Sequence, residues 1–148
     1  MRIPQTHYVR SGDLMIAYQV FGSGSRDVLL NGGPASNVET VWSLPEAVRL
    51  FERLGRFARV ILLDRRDTGV SDPASDDLTV EAHVADALAV MDAVGTERPV
   101  LVGSTEGALL PDDRDACPPS CSLWGTAGVL GGLPDHQRGS VGVAHDRA

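Results

Sequence analysis

A hydroxyl side chain stands between two glycines at residues 103–107, whose sequence is Gly-Ser-Thr-Glu-Gly. Glycines two residues before and two residues after a nucleophile permit the strained strand-to-helix turn that raises its side chain above a sheet. Thr105 occupies the apex of such a turn, so it is the candidate nucleophile for attack on an acyl carbon. The alternative is that Thr105 is a plain turn residue, because a β-branched side chain is stiff and a nucleophile needs a positioned base. Ser104 precedes the apex and would point elsewhere.

Two further loops have residue types that suit the same site. Residues 31–34 (Asn-Gly-Gly-Pro) and 64–72 (Asp-Arg-Arg-Asp-Thr-Gly-Val-Ser-Asp) each follow a short apolar run typical of a buried strand. The carboxyl ends of parallel strands meet at one edge of a sheet, where ligands bind. We therefore expect the three loops to converge on one candidate site. Several of their polar side chains suit hydrogen-bonded loops and turns rather than catalysis: Asn31, Asp64, Arg65, Asp67 and Ser71.

Alternating strand and helix patterns surround these loops. Apolar runs predict strands at residues 14–21, 27–30, 59–64 and 99–102, and turns at residues 11–13 and 22–25 suggest an opening antiparallel hairpin. Helical spacing predicts an amphipathic helix with the apolar residues Leu44, Ala47, Val48, Phe51 and Leu54. A second helix is predicted from a Thr79 cap to a Gly95 cap, with the apolar stripe Val80, Val84, Leu88 and Met91. This order predicts an α/β fold with a mostly parallel sheet and helices on both faces.

The three loops, in this order, resemble those of the α/β-hydrolase family. Thr105 stands where the family has its nucleophilic serine, and residues 31–34 resemble a His-Gly-Gly-Pro loop with Asn31 in place of the histidine. Residues 64–71 resemble an Asp-x-Arg-Gly-x-Gly-x-Ser loop in which Asp67 replaces a glycine. The resemblance implies that the backbone N–H groups of Gly33 and Glu106 form an oxyanion hole.

A closer resemblance is to a bacterial subgroup of this family, some of whose members are fused to adenylate or guanylate cyclase domains. It is carried by residues 11–20, 36–42 and 93–95, and it resumes at residues 123–126 and 134–139 with a sixth strand and the start of a cap. The likeness spans residues 8–108 and about 122–139.

Residues 111–119 interrupt this likeness, because prolines and charges fall where the family has a long apolar helix. A local frameshift is our hypothesis, since residues 112–115 can be encoded so that a neighbouring frame spells Met-Ile-Ala-Thr. We therefore predict an incomplete α/β-hydrolase fold, with the amino-terminal part of the domain at residues 1–110 and an irregular segment at 111–148. Only residues 121–124 look strand-like in that segment.

The family's acid and base would come from the last part of the chain. The late candidates are Asp135, His136, His145 and Asp146, in a segment without the strands that would position them. His7 and His83 precede the nucleophile, and neither is favoured as the base. The resemblance thus implies hydrolysis of an ester or similar acyl substrate without metal or organic cofactor, impaired in this chain. The alternatives are a non-catalytic small-molecule binding or sensor module and an inactive pseudogene product.

Charge and composition limit the partners. The 13 basic residues, all arginine, against 20 acidic residues give a net charge of −7, which disfavours nucleic acid and anionic membranes. No apolar run reaches the roughly 20 residues of a membrane span and no signal-like segment begins the chain, so a cytoplasmic location is expected. Cys117 and Cys121 lack the spacing of a zinc site. An unfinished sheet edge predicts a tendency to self-associate.

Overall fold

The structure is a computed structural model that describes residues 2–33, 36–74 and 76–103, together with the backbone of residues 122–123. Its six-stranded sheet has the order β1-β2-β4-β3-β5-β6. The strands are β1 (Thr6–Ser11), β2 (Leu14–Phe21), β3 (Arg26–Asn31), β4 (Ala58–Leu63), β5 (Val100–Gly103) and β6 (Ser122–Leu123). The helices are a 3₁₀ turn (Thr40–Ser43), α1 (Pro45–Leu54) and α2 (Val80–Val94).

The sheet begins antiparallel and continues parallel. β1, which the sequence analysis did not predict, forms an antiparallel hairpin with β2 across the turn at Gly12 and Asp13, and β2 also runs antiparallel to β4. β3 runs parallel to both β4 and β5, and β5 runs parallel to β6. The second turn, at residues 22–25, does not make a hairpin, because β4 lies between β2 and β3. The predicted α/β fold with a mostly parallel sheet is confirmed.

The local chemistry of each helix end explains where the helices start and stop. α1 begins at Pro45, whose missing N–H costs nothing in a first turn. The Thr79 hydroxyl caps α2 by accepting from the Ala82 N–H at 3.2 Å, and Gly95 ends it in the left-handed conformation, φ +66°. Both caps were predicted. Leu44 does not lie on the buried face of α1, since it is the N-cap residue and 55% exposed.

Each face of the sheet carries one apolar core, as a sheet with helices on both sides requires. On one face, α2 packs with Val84, Val90 and Met91 against Ile61 and Leu63 of β4. On the other face, Trp42 and Phe51 pack against Phe21 of β2, with ring centroids 5.0 to 5.2 Å apart. The alternating residues of each strand therefore serve two cores at once. No helix in the described ranges is long and apolar enough to cross a membrane.

Candidate functional site

Three strands end level with one another at the carboxyl edge of the sheet. Asn31, the last residue of β3, lies opposite Leu63 at the end of β4 and opposite Gly103 at the end of β5. The loops that follow these strands therefore start from one edge, as the sequence predicted. Asn31 is buried at this junction, with 5% of its surface exposed.

The carboxylate of Asp64 joins two of these loops. It is fully buried and accepts hydrogen bonds from the Ser36 hydroxyl at 2.7 Å, the Val38 N–H at 3.0 and 3.1 Å, and the Val70 N–H at 3.0 Å. A buried carboxylate is stable only when donors replace water in this way. Gly69 lies against it in the left-handed region, φ +56°, and a Cβ there would come within 1.9 Å of the carboxylate. The loop after β4 is thus wrapped around a single charged group.

The same loop extends the pairing of β4 with β2 beyond the end of the strand. The Asp64 N–H donates to the Ala17 carbonyl at 3.0 Å. The Ser71 hydroxyl accepts from the Ala17 N–H and donates to the Asp64 carbonyl, at 2.8 and 2.7 Å. Asp72 binds both backbone groups of Met15, at 2.8 and 2.9 Å. Asp64 and Ser71 therefore act in a hydrogen-bonded turn, as predicted.

The loop after β3 contains the predicted oxyanion donor. The Gly33 carbonyl accepts from the Ser36 N–H at 2.9 Å, which ties Gly33 to Ser36. The Gly33 N–H donates to no described residue. A backbone N–H at the carboxyl edge that no described residue engages is a candidate donor to an incoming ligand oxygen.

A buried ion pair fixes the loop after β4 to α2. The Arg66 guanidinium makes two hydrogen bonds of 2.8 Å to the Asp86 carboxylate and two of 3.2 Å to the carbonyl and carboxylate of Asp77. Arg66 is 7% exposed and Asp86 is fully buried. The hydrogen-bonded Asp86 carboxylate raises the pKa of Arg66, and the Thr79 hydroxyl, more than any other group, lowers the pKa of Asp77.

Sequence reasoning missed this pair. Asp86 lies about half a turn around the helix from Val84, on the side that an amphipathic pattern assigns to solvent. The loop covers Asp86 on that side, whereas its neighbour Ala85 stays exposed. The only signal in the sequence was an arginine at the third position of the loop, which any exposed loop also tolerates.

His83, in the first turns of α2, lies beside this cluster. Its ring is partly buried, and Nδ1 has no hydrogen-bond partner in the described part of the chain. Burial lowers the pKa of His83, and the charge of Arg65 lowers it further, against the opposing charges of Asp86 and Asp77. The lowered pKa favours the neutral form of the ring, which lies at the edge of a charged cluster.

The remaining predicted residues lie outside the described residues. They are Ser104, Thr105, Glu106 and Gly107 of the nucleophile segment, the thiols Cys117 and Cys121, and the late candidates Asp135, His136, His145 and Asp146. The structure therefore brings Asn31 and Gly33 to the edge where β5 delivers Gly103, directly before that segment. No group of three or more metal-binding side chains occurs among the residues that the structure describes.

Two cavities lie away from this edge. One, of about 650 Å³, lies at the opposite edge of the sheet, lined by Arg26 and Asp27 at the start of β3 and by Thr96 and Val100 near the start of β5. The other, of about 810 Å³, lies between residues 2–5 and 20–22. Neither contains the loops of the candidate site.

Solved structures of similar fold include several hydrolases. An N-acyl homoserine lactone degrading enzyme, Est816, matches 81% of this chain with 43% of its own length, at 23% identity and a TM-score of 0.65. An α/β hydrolase from Sphaerobacter thermophilus matches 70% of this chain with 37% of its own length, at 33% identity and a TM-score of 0.56. An esterase from Thermogutta terrifontis matches 72% with 38% of its own length, at 27% identity and a TM-score of 0.59.

The chain spans less than half the length of each of these proteins. A scan of protein-family models and a search of curated proteins found no match. The fold likeness agrees with the strand order, the two helical layers and the three strands that end level with one another. The chain belongs to the α/β-hydrolase fold family.

Proposed function

We propose that the carboxyl edge of this sheet forms an acyl-hydrolase site for a small ester or a similar acyl compound. The observation that carries the proposal is the Gly33 N–H, which no described residue engages, in a loop that Asp64 holds at that edge. The names of the neighbours support it, since they include an esterase and a lactone degrading enzyme. Those proteins are more than twice as long as the matched part, so the substrate and activity of this chain are proposals.

Thr105 has the role of nucleophile in this site. Its hydroxyl oxygen forms a bond to the acyl carbon, its proton passes to a base, and the carbonyl oxygen gains negative charge. The N–H groups of Gly33 and Glu106 stabilise that oxygen. Collapse of this intermediate releases the alcohol with a proton from the base, and water then hydrolyses the acyl-enzyme. Nothing in this sequence of steps requires a metal ion or an organic cofactor.

Turnover by this chain is impaired relative to its relatives. Within the given sequence, His136 and His145 are the late candidates for the base and Asp135 and Asp146 for the acid, and they lie in a segment without predicted strands to position them. Thr105 adds a methyl group where the family has serine, which restricts the hydroxyl to fewer rotamers. The proposal also includes a division of the chain at residue 110, a cytoplasmic location and self-association through the sheet edge.

A second candidate is a binding module without catalysis. Asn31 in place of the family's histidine and Thr105 in place of its serine favour it, because both departures fall in the loops that would carry the chemistry. Such a module retains the pocket for a small acyl compound and binds it without turnover. A pseudogene product, in contrast, would lack a cooperative thermal transition altogether.

An esterase assay with para-nitrophenyl acetate tests the proposal on the wild-type chain and its Thr105→Ala, Thr105→Ser and Ser104→Ala variants. We expect Thr105→Ala to abolish turnover, Thr105→Ser to raise it about tenfold or more because the methyl group is removed, and Ser104→Ala to leave it unchanged. Equal rates for wild type and Thr105→Ala would reject Thr105 as nucleophile. Saturable binding of the ester in a folded sample that shows no turnover would support the binding module instead.

A further inference from the structure

The geometry points to Ser36 and Asp64 as positioning residues that set the direction of the Gly33 N–H in the oxyanion hole. This inference rests on the proposed function, and it adds two side chains that act through the Gly33 peptide. Its basis is a continuous set of short contacts from a buried carboxylate to the donor peptide.

The first contact joins Gly33 to Ser36. The Ser36 N–H donates to the Gly33 carbonyl at 2.9 Å, and this hydrogen bond holds Gly33 in place from its carbonyl side. The Ser36 side chain also lies against Gly32, where a Cβ would be 2.5 Å from the Ser36 hydroxyl oxygen. The peptide that carries the Gly33 N–H runs from Gly32 to Gly33, so Ser36 contacts the residue on each side of it.

The second contact anchors Ser36 itself. Its hydroxyl donates to Asp64 Oδ1 at 2.7 Å, a short charge-assisted hydrogen bond. The hydroxyl therefore ties Ser36, and through its N–H the Gly33 carbonyl, to the end of β4.

Asp64 is a rigid anchor. It directly follows β4, it is fully buried, and its carboxylate also accepts from the N–H groups of Val38 and Val70. Gly69 packs so closely that no side chain fits between it and the carboxylate. With donors on several sides, the carboxylate has little freedom to rotate, and it transmits the position of the β4 end to Ser36.

The placement of the Gly33 N–H affects kcat. An oxyanion donor acts only when it lies about 2.7 to 3.1 Å from the charged oxygen, and loss of one whole donor costs about 100-fold to 1,000-fold in kcat. Loss of the Ser36 hydroxyl misplaces the Gly33 N–H without removing it, so we expect a smaller loss of kcat, about tenfold. Ground-state binding does not depend on the donor to the same extent, so KM changes little.

The test compares Ser36→Ala, Ser36→Thr and the matched control Ser43→Ala. Ser43 also carries a hydroxyl bonded to a neighbouring group, the Thr40 carbonyl at 2.6 Å, but Ser43 is exposed and lies in the 3₁₀ turn, away from Asp64. Two readouts are used: kcat and KM for para-nitrophenyl acetate, and the Gly33 amide resonance in the NMR spectrum of the full chain with nitrogen-labelled glycine.

We expect Ser36→Ala to lower kcat about tenfold with KM within about twofold, and to shift the Gly33 resonance. Ser36→Thr restores both readouts because it keeps the hydroxyl, and Ser43→Ala changes neither. An unshifted Gly33 resonance in Ser36→Ala, or a loss of kcat that Ser36→Thr does not restore, would overturn the inference.

The two proposals fail separately. If the wild-type chain shows no turnover, the proposed function fails, and the Gly33 resonance alone decides whether Ser36 positions that peptide. Thermal unfolding verifies that each variant folds. If Ser36→Ala does not fold, Asp64→Asn takes its place, because an amide replaces one acceptor oxygen with a donor and breaks the same set of contacts.

Discussion

At the scale of single residues, one position that departs from the family pattern adopts an unusual backbone conformation. Asp67 stands where the related loop has a glycine, and it is the one described non-glycine residue with a positive φ, +61°. Aspartate tolerates this region better than most residues but less well than glycine. Among the described residues its carboxylate forms one long contact, 3.4 Å to the Ala74 N–H. The loop therefore has an aspartate in a glycine-like conformation at a small energetic cost.

We predict that Asp67→Gly leaves the free energy of unfolding unchanged or raises it by up to about 1 kcal/mol, because relief of backbone strain offsets the entropy of the unfolded glycine. Asp67→Val should lower it by about 1 to 2 kcal/mol. Urea unfolding followed by circular dichroism measures both. Asp13→Gly is the control, an exposed turn position with φ below zero. An equal loss of stability for glycine at positions 13 and 67 would contradict the strain argument.

At the scale of elements, the loop after β4 is held more firmly than its composition suggests. It is bonded to β2 through Ser71 and Asp72 and to α2 through Arg66. Arg66 also binds Asp77, whose carboxylate in turn accepts from the Thr79 hydroxyl that caps α2, at 2.8 Å. The loop and the start of the helix thus form one hydrogen-bonded unit.

We predict that Arg66→Met lowers the free energy of unfolding by about 3 to 5 kcal/mol, because it leaves the Asp86 carboxylate buried without its partner. The double substitution Arg66→Met with Asp86→Leu should recover most of that loss, since neither buried charge then remains. A double-mutant cycle from urea unfolding gives the coupling. Arg49→Met is the control, because the Arg49–Glu46 pair is 69% and 78% exposed. A double variant as unstable as Arg66→Met would show that the charge is not the cause.

At the scale of the whole molecule, the two edges of the sheet are stabilised differently. The carboxyl edge has the buried groups of the candidate site, whereas the amino edge is closed by a partly exposed pair. Arg59 of β4 makes hydrogen bonds of 2.7 and 2.6 Å to Asp27 of β3, and a longer one of 3.4 Å to the Val94 carbonyl at the end of α2. The Arg59 guanidinium lowers the pKa of Asp27.

The lowered pKa of Asp27 predicts that the stability of the fold depends on pH. Because the folded pKa lies below the unfolded value of about 3.9, the pair stabilises the fold above that pH and its contribution is lost as the pH falls through the folded pKa. We expect Asp27→Asn to cost about 1 kcal/mol at pH 7, since solvent screens a pair in which Arg59 is 35% exposed. The difference from wild type should shrink below about pH 4.

Thermal unfolding of wild type and Asp27→Asn between neutral and acid pH checks this prediction. Glu46→Gln is the control, a carboxylate whose pair with Arg49 is mostly exposed. A difference between wild type and Asp27→Asn that stays constant with pH would mean that the ion pair does not produce it.

The sequence by itself determined the order of strands and helices from β2 to β5, both caps of α2, and the loops that follow β3 and β4, but it did not predict β1. These features depend on local rules: apolar period, capping chemistry, and the glycines and polar residues that end a strand. The resemblance to the α/β-hydrolase family was likewise carried by short motifs with fixed spacing. Such features can be read without knowing which elements are neighbours.

Only the tertiary structure decided which distant residues meet. The insertion of β4 between β2 and β3, the Arg66–Asp86 pair, and the contact of Ser36 with Asp64 join residues that are 20 or more positions apart. No local pattern marks Asp86 as buried, because the loop that covers it arrives from another part of the chain. A buried charge is tolerated only where a partner is brought to it, and packing, not periodicity, brings the partner.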